Sequence, residues 1–166
     1  MTAPAPKEWR GRFYEDFDVG DVYRSRFGRT ITDTDNIWFT CLTMNTNPIH
    51  FDAEYASHTE FKKPLVNSCF TLALVTGQSV IDLTVNGVAN LGWEDVKLPH
   101  PVFEGDTIYA KSEVLETRES KSRPTQGVVR VKSTGVNQHG DVVIEFRRTF
   151  LIWKRGHVPG THRKND

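Results

Sequence analysis

The stretch Asn67–Thr84, NSCFTLALVTGQSVIDLT, constrains the fold more than any other part of the chain. Asn67 or Ser68 can cap a helix start, and Phe70, Leu72, Ala73, Leu74, Val75, Val80, Ile81 and Leu83 follow. At 3.6 residues per turn these positions are apolar nearly all round, which a surface helix is not. The pattern therefore predicts a central helix covered on most sides. After it the period changes to two. In GDTIYAKSEVLE, Ile108, Ala110 and Val114 alternate with Tyr109, Lys111 and Glu113. In DVVIEFRRTFLIW, Val142, Ile144, Phe146, Phe150 and Ile152 share a face that Arg148 interrupts. One buried helix followed by long antiparallel strands predicts an α+β domain, with a curved sheet wrapped around the helix.

The rest of the chain fits one domain of this kind. At 166 residues there is enough chain for a single core. Residues 1–12, rich in Pro and Ala, read as a flexible lead-in, residues 13–155 as the domain and 156–166 as a flexible tail. FDVGDVYRSRFGRTIT reads as a turn and a strand. DTDNIWFTCLTM reads as a helix that starts on capping aspartates, and DAEYASHTEF as a second, short helix capped by Asp52. VANLGWEDVKL supplies another strand, whose glycines suggest a bulge or close backbone approach. SRPTQG and NQHGD look like hairpin connections.

Lys plus Arg equals Asp plus Glu, 21 each, so no overall charge points to nucleic acid or a membrane surface. The first residues lack the apolar segment of a secretory signal, and CFTLALV is too short to span a bilayer. A cytoplasmic protein is expected, with Cys41 and Cys69 as buried free thiols. Scattered histidines and unpaired cysteines predict no metal site.

Three motifs remain. NTNPIHFDAEYASHTEF at 45–61 sets a histidine behind Asn-x-Asn-Pro, KPLVNSCFTLAL at 63–74 leads into the apolar helix, and LPHPVFEGDTI at 98–108 opens a strand. Together, with a weaker fourth match in SKSRPTQGVV, they resemble the MaoC-like (R)-specific enoyl-CoA hydratases of the hot-dog superfamily. The likeness runs from about Phe13 to Arg155. It departs at two points: Asn45 stands where the family has a catalytic aspartate, and Asn67-Ser68 where many members have His-Gly. Both changes resemble the branch that hydrates itaconyl-CoA or mesaconyl-CoA. The resemblance implies a single hot-dog domain acting as a hydro-lyase on a short 2-enoyl-CoA. It further implies a homodimer or dimer-based oligomer with the acyl pocket at the interface, and no cofactor beyond the substrate's coenzyme A. Exposed sheet edges in a lone unit point to the same dimer.

Hydration needs a base for water, an acid for Cα and donors for the thioester oxygen. His50 is the candidate proton carrier, because imidazole titrates near neutrality. Asn45 cannot accept a proton at neutral pH and is expected to orient the water. Asn47 is expected to hold the turn, Asp52 to cap the following helix and His58 to be solvated. At the head of the apolar helix, Asn67 and Ser68 can cap while the amides near Ser68 and Cys69 face a thioester oxygen. Arg148 is a candidate for a substrate carboxylate, or else a residue at a rim or beside an internal acid. Lys62, Lys63, Arg118, Lys121 and Arg123 are candidate contacts for coenzyme A phosphates, each equally able to be a solvated charge. Two other classes stay open: a hot-dog thioesterase, against which stands the lack of any carboxylate on the helix before Asp82, and a non-catalytic acyl-CoA-binding module, which Asn45 keeps in play.

Overall fold

The computed structural model describes residues 9–159. The outer parts of the expected lead-in and tail, 1–8 and 160–166, lie outside the described residues. The order is β1 (Val22–Arg24), β2 (Arg29–Thr30), α1 (Asp33–Leu42), α2 (Ala53–Ser57), α3 (Ser68–Gln78), α4 (Val80–Leu83), β3 (Gly87–Lys97), β4 (Thr107–Glu119), β5 (Gln126–Val136) and β6 (Val142–Trp153). The strands form one antiparallel sheet in the order β1-β4-β5-β6-β3, and β2 adds to the start of β4. It is the α+β arrangement that the periodicity predicts.

Alternation decides which face each long strand buries. Ile108, Ala110, Ser112 and Val114 of β4 point inward, as do Ile144, Phe146, Arg148, Phe150 and Ile152 of β6. The inner face holds two apolar clusters. One gathers Val75, Ile108, Ile144 and Phe146 beneath α3, and the other gathers Phe17, Leu83, Val129, Phe150 and Ile152 beneath α4. Both predicted hairpins form. In the β5–β6 turn, Asn137 Oδ1 accepts the amides of His139 and Asp141. The expected bulges of β3 appear as register shifts at Gly87/Ala89 and Asn90/Gly92. Before β4, Gly105 adopts φ +87°, a left-handed conformation that glycine takes without strain.

Four expectations change. The apolar helix is covered on one face only: Thr71 and Val75 are fully buried, while Ala73, Gly77, Val80 and Ile81 are exposed. A single sheet covers just one side of a cylinder, and among the described residues nothing packs over the other. The helix also divides at Ser79, whose hydroxyl donates to Thr76 O at 2.6 Å. Helix α1 is capped by Thr32, in a reciprocal box with Asp35, and not by an aspartate. Burial alone would push the Asp35 carboxyl up, but hydrogen bonds from Thr32 and the Arg29 guanidinium outweigh it and hold the group below the usual carboxylate range. Finally, Cys41 and Cys69 are free but exposed, because each lies on the outward side of its helix.

Candidate active site

The loop after α1 folds as its polar residues dictate. Asn45 N–H donates to Thr40 O at 3.0 Å, and Asn45 Oδ1 accepts Asn47 N–H at 3.0 Å. Asn47 Oδ1 in turn accepts Ile49 N–H, starting the 3₁₀ turn Pro48–His50, and Asp52 caps α2 through Tyr55 N–H. His58 is exposed beside Glu54. These side-chain-to-backbone bonds deliver His50 into the interior, where it is 7% exposed.

The His50 ring is fixed by one bond. Its Nδ1 lies 2.8 Å from Leu65 O. A carbonyl only accepts, so Nδ1 carries the hydrogen, and in the neutral ring Nε2 holds the free lone pair. Nε2 has no protein partner among the described residues, nor is it among the buried atoms left unpaired. The geometry therefore sets out an imidazole whose basic nitrogen is free to work.

Three further buried residues surround it. Asn36 of α1, 3% exposed, donates from Nδ2 to His50 O at 2.8 Å and to Leu65 O at 3.1 Å. Its Oδ1 accepts Asn67 N–H at 2.9 Å. One turn on, Thr40 Oγ1 accepts from Asn67 Nδ2 at 3.3 Å. Neither Asn36 nor Thr40 stands out in the sequence as a site residue. Their spacing of four on one helix face was the available signal.

Asn67 caps α3 by accepting Cys69 N–H at 2.9 Å. That corrects the expected oxyanion donors: the Cys69 amide is already taken by the cap. The amides of Ser68 and Phe70 make no hydrogen bond among the described residues, so they are the free donors at this helix terminus. Ser68 lines a cavity of about 240 Å³ with Leu65, Val66, Thr71 and the Leu98–Val102 segment. A larger open groove of about 600 Å³ runs along the exposed apolar face of α3, between Phe39, Phe70 and the Arg26–Arg29 loop.

Other candidates are not brought here. Arg148, 1% exposed, donates to Ser79 Oγ at 3.0 Å and Thr84 Oγ1 at 3.1 Å, beyond the other end of α3. Eleven residues of helix place Ser79 roughly 16 Å from Ser68. A small group bound at the Ser68 amide would stop well short of that guanidinium. Arg148 is also neither at a rim nor beside an acid: no carboxylate pairs with it among the described residues, and burial pulls its guanidinium down to about 10. The five cations for coenzyme A divide into two groups. Lys62 and Lys63 precede α3 in the chain, with Lys63 over the Phe103 ring at 4.3 Å. Arg118, near the end of β4, faces Glu116, and Lys121 and Arg123 follow in the hairpin, roughly 40 Å of strand away. Within one chain they cannot serve one ligand together. Among the described residues, no group of three or more His, Cys, Asp or Glu is placed to hold a metal ion.

The sequence model of a family described as mesaconyl-CoA hydratase matches residues 4–164. The chain belongs to that family. It is 33% identical over 145 residues to β-methylmalyl-CoA dehydratase of Chloroflexus aurantiacus, covering 87% of this chain and 41% of that protein. It is 32% identical to mesaconyl-CoA hydratase of Cereibacter sphaeroides, with 87% and 42% covered. The chain thus spans less than half the length of these curated relatives. A MaoC-like dehydratase structure from Rhodospirillum rubrum superposes with a TM-score of 0.77 at 27% identity, over 87% of this chain and 99% of that one. A Mycobacterium tuberculosis protein with a double hot-dog fold superposes with a TM-score of 0.82 at 19% identity, over 93% of this chain and 48% of its own length. The fold here is a hot-dog, as the motifs imply.

Proposed function

We propose that this hot-dog unit catalyses the reversible addition of water across the double bond of a short 2-enoyl-CoA, with mesaconyl-CoA as the substrate of choice. The observation that carries the reading is the His50 Nδ1 bond to Leu65 O, which leaves Nε2 as an unpartnered base. Support also comes from family membership and from relatives named for mesaconyl-CoA hydration and its reverse, β-methylmalyl-CoA dehydration.

In this mechanism the thioester oxygen accepts from the Ser68 amide at the positive end of α3. Asn45, whose Nδ2 has no partner among the described residues, donates to the attacking water and orients it. His50 Nε2 takes a proton as the water oxygen bonds to Cβ, and charge moves onto the thioester oxygen. The imidazolium then returns the proton to Cα, which balances the addition with no other reactant. One base can serve both steps when water and proton add on the same face.

The proposal includes a homodimer. Among the described residues β3 pairs with β6 alone, so its outer edge is open, and Trp93 on this strand is exposed. A second copy would cover the bare side of α3 and close the groove. Two chains would also bring the distant Arg118, Lys121 and Arg123 within range of a neighbour's site as coenzyme A contacts. No described helix is long and apolar enough to cross a membrane, and the proposal places the enzyme in the cytoplasm.

A panel of thioesters tests this, from crotonyl-CoA to mesaconyl-CoA and itaconyl-CoA, read by enoyl absorbance alongside free-thiol release. Loss of absorbance with the thioester intact, fastest for a branched dicarboxylic substrate, is the expected result. Thiol release would make the protein a thioesterase, and binding without turnover a sensor.

A further inference from the structure

We infer that Asn36 is a positioning residue for the hydration site: it fixes the His50 tautomer and sets the distance from that base to the free amides of α3. The inference rests on the hydratase reading for its activity arm, and on geometry alone for its spectroscopic arm.

One side-chain amide ties three chain segments. Its two N–H groups reach the carbonyls of His50 and Leu65, and its oxygen takes the Asn67 amide. The Leu65 carbonyl is also the acceptor for His50 Nδ1–H, so both lone pairs of that oxygen are in use. Asn36 thus grips the histidine at its backbone and, through Leu65, at its ring. The Asn67 bond carries the same rigidity one residue further, to the Ser68 amide.

Only asparagine satisfies this arrangement. Aspartate has the same shape but no donors, and would turn a negative oxygen toward two carbonyls. Leucine would strand the His50 carbonyl and the Asn67 amide in a buried site and leave the Leu65 carbonyl with the His50 ring alone. Asparagine is a poor helix former, less favourable than alanine by roughly half a kcal/mol, so α1 carries it for these contacts and not for the helix. The consequence is chemical. Without the anchored Leu65 carbonyl the ring is free to move its hydrogen to Nε2, and the base is lost from the face where water must react.

The test uses the full-length protein labelled with ¹⁵N-histidine, comparing wild type, Asn36→Asp, Asn36→Ser and, as control, Ser112→Ala. The control breaks a buried hydroxyl pair with Ser133 on the sheet, away from His50. With the ring neutral, wild-type His50 should show a protonated Nδ1 and a bare Nε2. In both Asn36 variants the two tautomers should mix, with kcat on mesaconyl-CoA down about 10- to 100-fold and KM changed far less. Ser112→Ala should lower Tm without touching the His50 spectrum. If Asn36→Asp fails to fold, Asn36→Ser carries the test, since serine is small enough to leave the site open. A wild-type ring protonated on Nε2 would overturn the inference. So would variants whose tautomer stays unmixed, whatever their Tm. Should the wild type turn over no thioester, the hydratase reading fails while the tautomer measurement still decides the role of Asn36.

Discussion

The two ends of α3 bury polar groups beneath the same helix in opposite ways. At its N-terminal end Asn36, Thr40, His50 and Asn67 form a network in which one amide satisfies three backbone groups. The atoms left open there are His50 Nε2 and the Ser68 and Phe70 amides. At the C-terminal end Arg148 carries a full charge into the interior against two hydroxyls and the Phe150 ring, 4.9 Å away, with its Nε unpaired. Open groups at the first end are a base and hydrogen-bond donors that a reacting thioester can use. The open group at the second is a cation with no carboxylate paired to it among the described residues. The contrast teaches that burial of a polar residue marks chemistry when its surroundings are satisfied and one atom is deliberately left free.

Breaking the first end should have the largest effect. His50→Ala should lower kcat by 10²- to 10⁴-fold while circular dichroism and Tm stay near wild type. Ser68→Pro is sharper still as a probe: it deletes one backbone N–H at the first helical position, where proline is tolerated, and the Asn67 backbone at φ −59°, ψ 127° suits the residue before a proline. It should cost about 10²- to 10³-fold in kcat and little stability, read by steady-state kinetics and thermal melts.

The second end should respond in stability and not in rate. Arg148→Ala removes packing and should destabilise by about 3 kcal/mol in urea titration. Arg148→Met keeps most of the volume and removes an unpaired buried charge, so its stability should lie within about 1 kcal/mol of wild type or above it. Turnover should persist in Arg148→Met, and its loss would return a substrate role to this residue.

The smallest effect lies at the helix that carries Asn36. Thr32→Ala should cost about 1 kcal/mol by opening the capping box of α1. Its partner Asp35 has a depressed carboxyl, so the stability it contributes is present above the unfolded value of about 4 and is lost as pH falls through the lower folded value. In wild type the melting temperature should therefore drop on acidification below about pH 4, and the drop should be shallower in Asp35→Asn.

Much of this was legible in the sequence because period is a strong signal. The strand faces of β4 and β6, the hairpins and the Asp52 cap all follow from alternation and turn chemistry. Helix α3 was legible as apolar but not as one-sided, since tertiary packing and not the helix's own pattern decides which face meets the sheet. His50 was visible through its motif and Asn47 through the habit of asparagine before proline. Asn36 was not, because a polar residue in the first turns of a helix reads as solvated until tertiary contacts show which face turns inward. The loss of the Cys69 amide to the cap is hidden for a related reason: whether a cap uses one amide or its neighbour depends on a side-chain rotamer. Arg148 was seen as an oddity in an apolar face, yet only the length of α3 shows that it serves the far end of the helix.

The most direct test of the central claim is product analysis after incubation with mesaconyl-CoA in D₂O. By mass spectrometry and proton NMR, the account predicts β-methylmalyl-CoA with its thioester intact and one solvent deuteron at Cα. Recovery of free coenzyme A and mesaconate, or of unchanged mesaconyl-CoA bound to the protein, would contradict it.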